Sequence, residues 1–71
     1  MKYMVVVDKG LESWGAYVPD LPGCIAAAES RSEVLRLIQE AIELHLEALR
    51  EDGAELPMPH STSELVEVNS T

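Results

Sequence analysis

Trp14-Gly-Ala-Tyr-Val-Pro-Asp-Leu-Pro-Gly-Cys24 is the stretch that decides the fold, because it carries an extended segment into a corner from which the chain must reverse. Pro19 and Pro22 fix their own φ and hold Val18 and Leu21 extended, while Leu21-Pro22-Gly23-Cys24 suits a type II turn with Gly23 at positive φ. Asp20 is expected to hydrogen-bond backbone groups inside that turn, the usual reason for an aspartate in such a place.

Upstream of the corner, Lys2-Tyr-Met-Val-Val-Val-Asp8 is rich in β-branched and aromatic residues and ends at Asp8-Lys9-Gly10, which predicts a strand closed by a turn. Trp14 to Val18 is the second strand, with Trp14, Ala16 and Val18 on one face and Gly15 and Tyr17 on the other; the residues between the two strands fit a hairpin loop. Downstream, Cys24 to Ala28 is alanine-rich but lies between a turn and a helix start, so it is expected to be a third strand.

Ser30-Arg-Ser-Glu33 has the spacing of a capping box and predicts a helix from Arg31 to about Asp52, stopped by Gly53. Val34, Leu35, Leu37, Ile38, Ala41, Ile42, Leu44, His45, Leu46, Ala48 and Leu49 cover about 200° of its circumference, more than one packing surface needs. The helix should therefore have two neighbours. Leu56-Pro-Met-Pro59 is an extended connector, and Ser63-Glu-Leu-Val-Glu-Val68 is short enough for a final edge strand. The predicted class is α+β, in the order β-β-β-α-β, an antiparallel sheet with one long helix on one face and a single domain over residues 1–71. Because Tyr3, Val5 and Val7 point one way and Met4 and Val6 the other, both sheet faces carry apolar side chains, and one helix can cover only one of them. An uncovered apolar face marks an interface with another protein or another copy.

At 71 residues the chain buries little surface by itself, so association is the expected source of further stability. Cys24 is the single cysteine, which excludes an internal disulfide, and it should be a small buried side chain. The formal charge of −8, from thirteen acidic and five basic residues, opposes contact with nucleic acid phosphates and favours a basic partner. No segment resembles a signal peptide or a membrane span, which predicts a cytoplasmic protein without membrane attachment.

Catalytic chemistry finds no foothold in these residues. His45 lies within the apolar arc of the helix, His60 follows Pro59 in the connector, and with Cys24 they are too scattered in sequence for a metal site. No Gly-x-Ser-x-Gly elbow or phosphate-binding glycine loop occurs, and Glu40, Glu43 and Glu47 have the spacing of a wet helix face. Neither a metal nor a cofactor is expected. Trp14 and Tyr17 could stack on bases, but with so few basic residues a core or protein-interface role is the better reading.

Taken together, the Trp14–Cys24 corner, Ser30-x-x-Glu33, Gln39-Glu-Ala-Ile42, Gly53 and Leu56-Pro-Met-Pro59 resemble the HicB-like antitoxin family over nearly the whole chain. The resemblance implies a partial ribonuclease H-like fold and membership of a type II toxin-antitoxin system. It also implies a partner, a small basic messenger-RNA-cleaving toxin of HicA type, which the domain covers. Many members of the family add a ribbon-helix-helix or helix-turn-helix domain that binds operator DNA. No such C-terminal domain is expected here, so no direct nucleic acid binding is expected either. Another departure is Ala27-Ala28-Glu29, where the family often carries a glycine before the helix cap.

The leading expectation is thus a non-enzymatic inhibitor, a homodimer or higher homo-oligomer, whose contact residues include Trp14, Tyr17, Asp20 and Leu21 at the strand end and corner. Two alternatives stand beside it. One is a degenerate ribonuclease H-like nuclease holding Mg²⁺ through Asp8, Asp20 and helix glutamates, and the other is an orphan dimeric domain without a toxin.

Overall fold

Three short strands and one helix follow in chain order: β1 (Val6–Lys9), β2 (Trp14–Tyr17), β3 (Ile25–Ala28) and α1 (Arg31–Glu51). This is a computed structural model, and it describes residues 1–69; Ser70 and Thr71, the end of the expected 1–71 domain, lie outside the described residues. The strands form one antiparallel sheet in the order β1-β2-β3. Register brings Val6 opposite Tyr17 and Tyr17 opposite Ile25, while Val7, Ala16 and Ala26 form the neighbouring row on the other face.

The corner folds as its prolines and glycine require. Gly23 has φ +85°, and the Cys24 N–H donates to the Leu21 carbonyl at 3.1 Å, closing the type II turn. A second turn precedes it, closed by the Leu21 N–H on the Val18 carbonyl at 3.1 Å. The Val18 N–H then reaches the Cys24 carbonyl at 3.2 Å, which ties the two arms of the corner together.

Helix α1 begins and ends where its sequence says. The Ser30 hydroxyl accepts the Glu33 N–H at 3.2 Å, satisfying one of the orphan donors of the first turn. At the other end Gly53 takes φ +70°, the Ala54 N–H donates to the Leu49 carbonyl at 2.9 Å and the Gly53 N–H to the Arg50 carbonyl at 3.0 Å. That pair of bonds is a Schellman motif.

The core gathers at the corner end of the sheet. Ala16 and Val18 from β2 and its extension, Leu21 and Cys24 from the corner, and Val34 and Ile38 from the first turns of α1 are its buried apolar residues. Val34 and Ile38 lie four apart and so share one helix face. The helix packs across β3 and β2, leaving β1 as an overhanging edge whose Val7, with Val5 and Tyr3 just before the strand, is only partly buried.

Two expectations need correction. The first strand, expected over Lys2 to Asp8, pairs only over Val6–Lys9. The reason lies in its neighbour: β2 ends at Tyr17, Val18 is bonded to Cys24, and Pro19 has no N–H to offer, so the stretch before Val6 loses its pairing partner. The final edge strand expected at Ser63–Val68 does not form. That segment has an alternating pattern but, among the described residues, no strand beside it, and Leu65 is fully exposed.

Candidate functional site

Across the sheet face turned away from α1, register aligns Val6, Tyr17 and Ile25 in one row, with Asp8, Gly15 and Ala27 in the next. Tyr17 is 44% exposed and Ile25 70% exposed. Among the described residues no element covers this face, because the only helix lies on the other one. Single exposed apolar residues are ordinary, but an aligned row across adjacent strands forms a patch that water wets poorly. The sequence reading of a sheet apolar on both faces with a helix on only one of them is met in this geometry.

The four residues singled out at the strand end take different positions. Tyr17 stands on the open face, whereas Trp14 is half-buried on the helix side at the hairpin end, with the Lys9 ammonium 5.8 Å from its ring centroid. Leu21 is fully enclosed in the core, and Asp20 is buried as well. The last two therefore shape the corner from within and present no side chain on the surface of the isolated chain.

Asp20 does something its sequence context did not show. Its partners are not in the turn but forty residues on: Oδ2 accepts the N–H groups of His60 and Ser61, each at 2.9 Å. Oδ1 accepts the Ser61 hydroxyl at 2.5 Å and lies 3.1 Å from His60 Nε2. The Ser61 hydroxyl and N–H, followed by the N–H and ring of His60, hold the carboxyl down at about 2 against a residual burial penalty that pushes it up. With the tyrosine hydroxyl of Tyr3 donating to the Pro57 carbonyl, this clasp fastens the connector across the corner. His60 keeps an exposed ring and yet belongs to the clasp. Two prolines in Leu56-Pro-Met-Pro59 make the connector stiff enough to arrive there, which is the one hint the sequence carried.

The arrangement has little to offer a metal ion or a reacting group. Among the described residues no three His, Cys, Asp or Glu side chains come together. Asp8 sits toward the hairpin end of β1 while Asp20 lies beyond the opposite end of β2, and the Asp20 oxygens are already engaged. Cys24 is buried, and burial pushes its thiol pKa up, away from the reactive thiolate. Arg36 and Glu40 form an exposed i,i+4 ion pair on the outer face of α1, where Leu44 is left 66% exposed. That exposure agrees with an apolar arc too wide for the sheet alone. No helix among the described residues is long and apolar enough to cross a membrane.

Comparison with known proteins places this architecture. The family described as HicB_like antitoxin of bacterial toxin-antitoxin system matches residues 3–70. A protein of Haemophilus phage HP1, named as an uncharacterized 14.9 kDa protein in the rep-hol intergenic region, is 39% identical over 57 residues, 80% of this chain and 43% of its own length. An Archaeoglobus fulgidus UPF0150 protein is 41% identical over 56 residues, 75% of this chain and 81% of its own length. The chain thus spans less than half of the phage relative but most of the archaeal one. Among solved structures, a chain of the HicA3 and HicB3 toxin-antitoxin complex superposes with a TM-score of 0.66 at 31% identity, covering 83% of this chain and 72% of that one.

Proposed function

The chain belongs to the HicB-like antitoxin family, and from that premise we propose that it neutralises a small basic, messenger-RNA-cleaving toxin of HicA type by covering the toxin's active surface. The observation that carries the proposal is the open sheet face, where Val6, Tyr17 and Ile25 line up uncovered on a chain of charge −8. An apolar centre supplies the affinity of a protein interface, and the surrounding negative field draws in a positively charged partner and repels RNA.

In this reading Tyr17 and Ile25 touch the toxin, with Val6 beside Tyr17 in the same row and Trp14 at the rim, while Leu21 and Asp20 fix the corner that holds β2 and β3 in register. The chain performs no chemistry of its own. It works in the cytoplasm, where a messenger-RNA-cleaving partner would find its substrate. Support comes from the family and from the likeness to a chain of a toxin-antitoxin complex.

Co-expression with a HicA-type toxin tests the proposal. The expected result is co-purification of the two proteins and restored growth of cells that the toxin alone arrests. Arrest that persists at matched expression of both, with no complex recovered, would overturn it.

A further inference from the structure

Among the described residues two strand-like segments each have an edge without a partner, and they suit each other. One is Tyr3–Val7, which pairs with β2 only from Val6 onward and whose outer edge carries no backbone hydrogen bond among the described residues. The other is Ser63–Val68, whose Leu65, Val66 and Val68 are 105%, 76% and 75% exposed. The molecule is 52 Å long, whereas its 21-residue helix accounts for about 30 Å, so this arm stands away from the body. The radius of gyration of 14.4 Å, against about 11 Å for a compact chain of this length, reports the same thing.

We propose that Ser63–Val68 of one copy adds as an antiparallel strand to the outer edge of Tyr3–Asp8 in a second copy, and that the exchange is reciprocal, closing a two-fold dimer. Register and charge select this edge. Placing Leu65 opposite Val6 extends the open-face row to Leu65, Val6, Tyr17 and Ile25, and it sets Val66 opposite Val5 and Val68 opposite Tyr3 on the half-covered helix side. The same register puts Glu64 diagonal to Lys9 and Glu67 diagonal to Lys2, within reach of long side chains. Lys2 and Lys9 are the only lysines of the chain, and both flank this edge. The β3 edge offers no cation and runs into Glu29, so it would repel the arm.

The arm cannot take this register on its own sheet. Its root is pinned at the Tyr3 end by the Pro57 carbonyl and by the Asp20 clasp, and two residues after Ser61 cannot span to Asp8, about 17 Å away along the strand. The clasp also spares the arm part of the ordering entropy, because its starting point is already fixed.

Sedimentation of the pure chain over a concentration series, with no toxin present, tests this exchange independently of the antitoxin reading. The full chain is expected to be a dimer, and both a chain ending at Thr62 and the Val66→Pro variant are expected to be monomers with unchanged helix content. Lys2→Glu with Lys9→Glu should weaken dimerisation by about tenfold, the size expected of four exposed ion pairs, and adding Glu64→Lys with Glu67→Lys should restore it. A full chain that is monomeric at high concentration would overturn the proposal, whether its arm amides exchange freely or are protected by pairing on its own sheet. So would a dimer that persists without the arm or that ignores the charge reversals.

Discussion

The Asp20 carboxylate accepts both the hydroxyl and the backbone N–H of Ser61, at 2.5 and 2.9 Å, across forty-one positions of chain. With the His60 contacts to the same carboxylate and the Tyr3 hydroxyl on the Pro57 carbonyl, it sets where the connector lies and hence where the last described residues start. Asp20→Asn and Ser61→Ala should each loosen the connector, seen as reduced amide-exchange protection at His60 and Ser61 while α1 stays protected. Because both residues act through the same contact, the double variant should cost less than the sum of the two single ones.

Acid should open the same clasp. Asp20 is lowered in the folded chain from 3.8 to about 2, so the folded state holds the ionised form more tightly than the unfolded one. Its contribution to stability is complete above pH 3.8 and disappears as the pH falls from there through about 2. Urea midpoints of the natural chain measured across that window should decline more steeply than those of Asp20→Asn.

Core packing at the corner sets the global stability. Leu21 and Val34 are fully enclosed, so Leu21→Ala leaves a cavity and should cost about 2–5 kcal/mol, enough to unfold much of so small a domain. Ile38→Val, which removes one buried methylene, should cost only about 0.5–1.5 kcal/mol. Denaturant titration followed by far-ultraviolet circular dichroism separates the two.

At Gly23 the expectation is a backbone effect without a clash. Beyond its two chain neighbours no heavy atom lies within 4 Å of where a Cβ would sit, yet φ is +85°, so Gly23→Ala should destabilise by about 1–2 kcal/mol through the left-handed conformation alone. Thermal unfolding of the variant checks this, and its folded spectrum should match that of the natural chain.

Much of the fold was legible because its instructions are local. The N-cap at Ser30, the stop at Gly53, and the positive φ at Gly23 are each written in a few adjacent residues, and the structure uses all three. The open sheet face was legible too, since strand alternation and the presence of a single helix follow from pattern and length. What was not legible is what depends on distant neighbours. Lys2 to Asp8 has the composition of a full strand, but its length is set by where β2 turns away at Val18, and Ser63–Val68 has the pattern of a strand without one beside it to pair with. Turn aspartates bond locally, and no periodicity in the sequence links Asp20 to Ser61.

Binding and stability should separate on the open face. Tyr17→Ala and Ile25→Asp remove exposed apolar groups, so the isolated chain should stay folded, while affinity for a HicA-type toxin should fall by about 2 kcal/mol or more, roughly thirtyfold. Calorimetric titration against toxin, with Glu47→Ala on the outer helix surface as the control, gives the comparison.

Messenger-RNA cleavage by a HicA-type toxin, measured as this chain is titrated in, bears most directly on the antitoxin reading. The account predicts that cleavage stops at a fixed molar ratio with the natural chain and continues when the chain carries Tyr17→Ala with Ile25→Asp. Cleavage that proceeds undiminished in a large excess of the natural chain would contradict it.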